Sequence, residues 1–371
     1  MTILSPILIA ALSGRALACA ANKAGIPAYV VDIFNDEETQ ASTLACAKIN
    51  TAGAGFDAED LIQKIDRLCP PNTAFTYGTG FEHCPDLLTH LAKGRRLYGN
   101  SAEVVKQVKE PQHFFPLLKK LAIPAPETQL EKPEQVSGWL TKIIGGAGGY
   151  HIHPCSRTEK ITQHHYYQKE LMGNPHSVLF LANGSEALII GYNELWANIL
   201  FDNKPFLYEG AVSVLDMPLQ TQLQDAVSAL VEHVKLVGLC SMDIVLNATG
   251  FHVLEINPRP TITFELHQLH GNLFYWHLEA CKGRLPKHLP RPKNLRAHAI
   301  VYAQHDLSIP AALKWPAWTA DHPIAHTQIH AGQPICTVFA QGKKCQQRVQ
   351  DRQQQVRHYL KHWTKHHAAG H

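Results

Sequence analysis

The chain runs to 371 residues, more than one hydrophobic core usually serves, so two or three subdomains are expected. Hydrophobic residues make up 45% and charged residues 18%, an ordinary globular balance, and no window approaches the roughly 18 uninterrupted apolar residues that span a bilayer. A formal charge of +3, dispersed along the sequence, argues against nucleic acid or a membrane surface as the main partner.

The apolar start, Met1 to Ala11, lacks the basic lead of a signal peptide and reads as a buried strand over Ile3 to Ala10. Arg15 to Ala24 is predicted as a helix closed by Gly25, and Ala28 to Asp32 as a second strand ending on a carboxylate. Ala58 to Leu68 has apolar positions at helical spacing, and Thr73 to Tyr77 is a third strand running into Gly78-Thr79-Gly80. This β-α-β alternation implies a parallel sheet, whose ligands lie beyond the carboxyl ends of its strands. Gly14, Asp32 and the segment from Gly78 to Glu82 all fall there.

Phe114 to Leu121 reads as a short helix, and Ile123-Pro124-Ala125-Pro126 as a stiff extended linker beside a subdomain boundary. Three antiparallel strands are predicted at Tyr166 to Leu171, Ser177 to Leu181 and Ala187 to Tyr192, with Asn183-Gly184 turning the last pair. Leu219 to Val237 is a long helix ending at Gly238, followed by strands at Leu239 to Asn247 and His252 to Ile256. A Pro-rich stretch, a β-rich region from Ala297 to Val338 and a charged helix from Gln346 to about Lys365 close the sequence. The nine cysteines are scattered with no pair at CxxC spacing, which fits reduced thiols and a cytoplasmic setting.

The strongest chemical signal is Asp243 together with Glu255-Ile256-Asn257-Pro258-Arg259. Alternate strand residues share a face, so Glu255 and Asn257 project together, and Asp243 joins them if the second strand pairs back on the first. Two carboxylates and an amide oxygen form a hard-oxygen cluster suited to Mg²⁺, with Mn²⁺ as a substitute. Arg259, two residues on, suits a transferring phosphoryl group or a substrate carboxylate. A second signal is Gly145-Gly146-Ala147-Gly148-Gly149 behind Lys142: backbone without Cβ can approach phosphates, although a flexible linker has the same composition. A third is Lys169-Glu170-Leu171-Met172-Gly173-Asn174-Pro175-His176, a strand breaking at a turn, whose free backbone groups could read an adenine edge.

In this order, the lysine, glycine loop, Glu-Leu-x-Gly strand end, long helix and Asp…Glu-x-Asn-Pro-Arg set closely resembles the ATP-grasp superfamily, above all ATP-dependent carboligases related to biotin carboxylase. The resemblance implies an α/β ATP-grasp fold. Residues 1–108 would form a Rossmann-like pre-ATP-grasp domain, and 109–290 the ATP-grasp lobes with a lid over roughly 125–195. Residues 291–371 would form a small C-terminal β-rich segment and helix. It further implies that Lys142, Gly145, Gly146, Gly148 and Gly149 hold the nucleotide phosphates, and that Lys169, Glu170 and Leu171 form the adenine hinge with His176 near the ribose. Asp243, Glu255 and Asn257 would bind Mg²⁺, and Arg259 would steady the transition state. Many members carry an Asp-Lys pair where this chain has Glu110-Pro111, so either Lys109 substitutes or that phosphate contact is missing.

The implied reaction is carboxylate–amine ligation through an acyl phosphate, with ATP and Mg²⁺ as cofactors, small-molecule acid and amine substrates, and room for a homodimer. Relatives of this look accompany one-carbon pathway enzymes in methylotrophs, which suggests a tetrahydromethanopterin- or methanofuran-type cofactor as the product. Arg15, Asp32 and Glu82 are the substrate candidates, with the segment from Glu265 to Gly271 beside them; Arg15 starting a helix and Glu82 capping one are the plain structural alternatives. Two other functions compete: a non-catalytic ATP-binding regulatory protein, and a phosphotransferase without ligation.

Overall fold

The structure, a computed structural model, describes residues 5–52, 55–158, 162, 164–268, 272–290, 293–311 and 313–368. The start of the predicted first strand at Ile3, and the end of the Glu265 to Gly271 segment, lie outside the described residues. Four parallel strands, Ile7–Ala10, Ala28–Asp32, Ala45–Lys48 and Ala74–Tyr77, form the first sheet, with Ile7–Ala10 between Ala28–Asp32 and Ala74–Tyr77. Three of its strands are short, apolar and largely buried, while the edge strand Ala45–Lys48 is part-exposed. Helix Arg15–Lys23 covers one face, and Ala58–Leu68 packs Leu61 and Ile65 on the other.

The centre of the molecule is an antiparallel sheet of eight strands. Its spatial order is Gly250–Asn257, Val237–Asn247, Asn174–Asn183, Ala187–Ala197, Tyr208–Val214, Arg296–Tyr302, Pro334–Gln341 and Thr319–Ala320. Helix Gln220–Val234 lays Leu223, Val227, Leu230 and Val234 on one face at the i, i+4, i+7, i+11 spacing. Each such side chain taken out of water stabilises the packing by about 2 kcal/mol. Helix Asn272–Ala280 covers the other face and shares its core with helix Arg15–Lys23, so the two sheets are bound through a common apolar layer. A smaller antiparallel sheet, Thr128–Gln129, His165–Lys169, Trp139–Ile143 and His153–Pro154, stands beside them.

One expectation shifts. The long helix stops at Val234, because Lys235 itself takes a left-handed cap (φ 65°), and Gly238 lies inside the following strand. A Cβ on Gly238 would come within 2.6 Å of the His277 ring, so its glycine serves close packing instead of helix termination. The C-terminal β-rich region joins the central sheet. Arg296–Tyr302 pairs directly with Tyr208–Val214 and extends the central sheet, with helix Cys345–Ala368 packed against it.

Candidate active site

The site is built where the central sheet, the smaller sheet and the first sheet meet. Strands Val237–Asn247 and Gly250–Asn257 form a hairpin that sets Asp243 opposite Glu255 and Ser241 opposite Asn257, with an irregularity in register just beyond Asp243. Directly opposed residues on antiparallel strands share a face, so the three oxygen-bearing side chains converge. Asn257 Nδ2 donates to Asp243 Oδ2 at 3.0 Å. The strand end is fixed from outside by Asn100, which donates to the carbonyls of Val237 (2.9 Å) and Pro258 (2.8 Å) and accepts the Val237 N–H. Tyr77 at the end of the first sheet donates to the Asn100 carbonyl at 2.9 Å.

Lys109 enters this cluster. Pro111 starts helix Pro111–Lys120 and holds Glu110 extended (φ −86°, ψ 116°), as the residue before a proline must be. The preceding helix, Ala102–Lys109, therefore ends abruptly and delivers its last side chain inward. Lys109 Nζ donates to Glu255 Oε2 at 2.8 Å and Asn257 Oδ1 at 3.0 Å. The ammonium holds Glu255 low despite a burial that would raise it, whereas burial and the neighbouring Glu255 push Asp243 up. The cluster thus already accommodates a cation on carboxylate and amide oxygens, and a donor set of oxygens alone fits Mg²⁺.

Arg259 is 6% exposed and held on three sides. Its Nε pairs with Glu82 Oε1, its Nη1 donates to the Pro260 carbonyl at 3.3 Å, and its Nη2 donates to Asn257 Oδ1 at 3.3 Å. Glu82 in turn accepts the Gly80 N–H at 2.9 Å. Lys142 Nζ donates to Gln168 Oε1 at 2.6 Å, and burial lowers its pKa to about 8 against the pull of Glu255.

The glycine loop lies closed over these groups. Gly145 and Gly149 are left-handed (φ 73° and 74°); a Cβ on Gly145 would stand 2.2 Å from the Glu82 carbonyl, and one on Gly149 1.8 Å from that of Phe206. Only backbone without a side chain can make either approach. The Gly148 carbonyl accepts the Tyr208 N–H at 2.9 Å, so the loop bridges to the central sheet.

Beneath it is a cavity of about 370 Å³, lined by Lys142, Gly148, Gly149, His176, Asp243, Glu255, Asn257 and Arg259. Its remaining wall is largely apolar and aromatic, with Ile152, Leu195, Trp196, Phe206 and Tyr208. Gly145 and Gly146 line an adjoining crevice with Lys109 and His151. His151, absent from the sequence reading, lines both spaces, and burial lowers its pKa to about 4. Only its place just after the glycine run could have drawn attention to it.

Other expected residues stand apart from this cavity. Lys169 is exposed and 3.6 Å from Glu127; the Glu170 N–H donates to the Gly138 carbonyl, and Glu170 and Leu171 belong to the connection between the smaller and central sheets. Asp32 accepts the N–H groups of Gly14 (2.8 Å) and Asn35 (2.7 Å), bracing its own loop. Arg15 offers no free fork: Nε and Nη2 engage Asp321 at 2.8 and 3.1 Å, while Nη1 and Nη2 engage Glu265. Glu82 is paired with Arg259.

A glycine loop thus lies over a lysine and faces a hairpin that presents Asp, Glu, Asn and Arg. Residues 112–263 match the family model described as ATP-grasp domain, which identifies that segment as an ATP-grasp domain. The fold agrees over nearly the whole length. The biotin carboxylase domain of Hydrogenobacter thermophilus 2-oxoglutarate carboxylase, solved as a dimer with MgADP, ADP and bicarbonate, superposes with a TM-score of 0.70 at 11% identity, over 92% of this chain and 86% of that one. Staphylococcus aureus N5-carboxyaminoimidazole synthetase complexed with ADP gives 0.67 at 13% identity, over 95% and 96%. Campylobacter jejuni biotin carboxylase, in a complex with an ATP analogue, gives 0.66 at 12%, over 92% and 88%. No curated protein matches the sequence. Among the described residues no helix is long and apolar enough to cross a membrane.

Proposed function

We propose that the protein is an ATP-dependent carboxylate–amine ligase that activates its acid as an acyl phosphate. The observation that carries this reading is the convergence of Asp243, Glu255, Asn257 and Arg259 with Lys109 and Lys142 at one polar end of a cavity covered by the glycine loop. Asp243, Glu255 and Asn257 would hold Mg²⁺, which when bound supplies charge neutralisation at the phosphate oxygens. Lys142 and the amides of the loop to Gly149 hold the nucleotide phosphates, and the apolar wall receives the rest of the nucleotide, with His176 near the ribose. The adenine edge falls to the backbone of the segment Lys169-Glu170-Leu171, at the Glu170 carbonyl and Leu171, because the Lys169 and Glu170 N–H groups already donate to the Glu127 and Gly138 carbonyls.

Arg259 faces the developing charge when the carboxylate oxygen attacks the γ-phosphorus and the bond to ADP breaks. The amine nitrogen then attacks the acyl carbon and phosphate leaves with the former carboxylate oxygen. Exclusion of water by the closed loop protects the acyl phosphate between these steps. The chain is assigned the same subdivision as in the sequence reading, at about residues 108 and 290. A homodimer is proposed from the dimeric biotin carboxylase domain among its structural neighbours. Pterin- and methanofuran-type acids and amines are the first substrates to try.

The test is ADP and free phosphate followed together, with Mg-ATP and pools of acids and amines, and with Glu255→Gln as control. Phosphate release that needs both an acid and an amine, and is lost in the variant, is the expected result. ADP formed without free phosphate would establish a phosphotransferase instead, and tight Mg-ATP binding with no turnover in any pool would favour the regulatory reading.

A further inference from the structure

The formal charge of +3 is not held evenly over the fold. From Lys343 to His371 the sequence has seven lysines and arginines and a single acid, Asp351. This stretch therefore carries more positive charge than the whole chain, and the remainder is net negative. Most of it is one helix, Cys345–Ala368. Its inner face packs Cys345, Val349, Val356 and Leu360 on strands Arg296–Tyr302 and Pro334–Gln341. Gln353 Nε2 fastens it there, donating to the Ile300 carbonyl at 2.7 Å and to Glu209 Oε1 at 3.1 Å.

The outer face is of another kind. Lys343, Lys344, Arg348 and Lys361 are exposed, spread over about 27 Å of helix, with glutamines between them. The one acid, Asp351, accepts from Gln347 Nε2 at 3.1 Å. Arg348 Nη1 donates to the Gln341 carbonyl at 2.7 Å, and neither it nor Lys343 nor Lys344 has an ion-pair partner among the described residues. Lys344, Arg348 and Arg352 follow one another at i, i+4, where like charges repel. Burial, with the Arg348 charge behind it, holds the Arg352 guanidinium below its ordinary value. The first turn has no acid, and cations at the amino end of a helix oppose its macrodipole. The arrangement weakens the helix on its own, and an anion laid along the face relieves it.

The face also selects among anions. From Lys343 to Lys361 no apolar side chain is exposed, so there is neither an anchor for a lipid surface nor the apolar centre of a permanent interface. No aromatic ring is exposed there for bases to stack on, and a nucleic acid reaching past the helix would meet the net-negative remainder. A short run of Asp and Glu meets the helix alone. We propose that this face, from Lys343 to Lys361, docks an acidic segment of a partner protein in a transient contact steered by charge. The contact is independent of the ligase reading and asks nothing of the nucleotide cavity.

The test uses the full chain and a dye-labelled polyglutamate peptide of about 20 residues, long enough to follow the face. Fluorescence anisotropy in about 25 mM salt should show saturable binding that weakens at least about tenfold in about 200 mM salt. Lys343→Glu together with Lys344→Glu should cost at least about tenfold in affinity at low salt, and Lys343→Gln with Lys344→Gln a smaller part of that. Both pairs are exposed, so the melting temperature should stay close to that of the parent. The same charge reversal at Lys93 and Lys119, exposed elsewhere on the surface, should leave the affinity within about twofold. No saturable binding at low salt, or an equal loss from both pairs of reversals, would overturn the proposal. A DNA duplex of the same total charge, or phosphatidylserine vesicles, bound more tightly than the peptide would overturn it too and give the face to that occupant. Turnover is not read, so failure here leaves the ligase reading untouched.

Discussion

Two part-buried charge clusters in this molecule each set one basic side chain against acidic oxygens, and they differ in how that base is held. At the Arg15 junction one guanidinium meets two carboxylates, Asp321 and Glu265, and uses Nε, Nη1 and Nη2 to do so. In the cleft, one ammonium, that of Lys109, is shared between Glu255 and Asn257, while Asp243 accepts from the Asn257 amide. The first arrangement leaves nothing to exchange and joins three parts of the chain. The second places Asp243, Glu255 and Asn257 on the wall of a cavity. A planar fork fixes geometry, whereas a point charge on a flexible stem can be traded.

That contrast can be broken most sharply at Glu255. Glu255→Gln should lower kcat by about 10³-fold, roughly 4 kcal/mol of transition-state stabilisation, while the melting temperature stays close to that of the parent. A large fall in melting temperature with little loss of turnover would move the cleft cluster into the structural class. Arg15→Met should do the reverse: about 3 kcal/mol of stability lost in denaturant titration, because two buried carboxylates are left uncompensated.

Glu82 sharpens the comparison, since it borrows the structural style of the junction to serve the cleft. Glu82→Gln should cost kcat about 30-fold with KM for ATP unchanged, by loosening Arg259. An altered KM with intact kcat would place Glu82 on a substrate instead.

The smallest effect concerns pH. The folded pKa of Lys142 is about 8, below that of a free lysine. Above pH 8 the folded chain therefore binds fewer protons than the unfolded chain, and this residue's contribution to stability rises with pH up to the free-lysine value. Phosphate affinity moves the other way, because the ammonium is lost. Nucleotide binding, measured by fluorescence titration, should weaken by no more than about tenfold per pH unit above 8, and Lys142→Met should flatten the profile.

The hairpin carrying Asp243, Glu255 and Asn257 was legible in the sequence because a strand's two-residue period and a short turn decide which side chains share a face. The first sheet was legible for a similar reason: its strands and helices are local patterns. The Glu82–Arg259 pair and the entry of Lys109 were not. Both depend on partners more than a hundred residues away, and Lys109 also depends on a helix broken by Pro111, whose consequence for direction appears only in three dimensions. Joining of the C-terminal strands to the central sheet was hidden likewise, since a strand's own sequence carries no mark of the sheet it joins.

The Arg15 junction also has a consequence in time. Its partner Asp321 is 306 positions further along the chain. At about 5–20 residues per second of synthesis, an interval of about 15–60 s separates the two on the ribosome. During it, the amino-terminal sheet must persist with a guanidinium awaiting its carboxylate, and the central sheet cannot gain the strand at Pro334–Gln341. A nascent chain arrested before residue 321 should therefore be protease-sensitive at the Arg15 helix, and the finished chain should refold slowly, as long-range pairing requires.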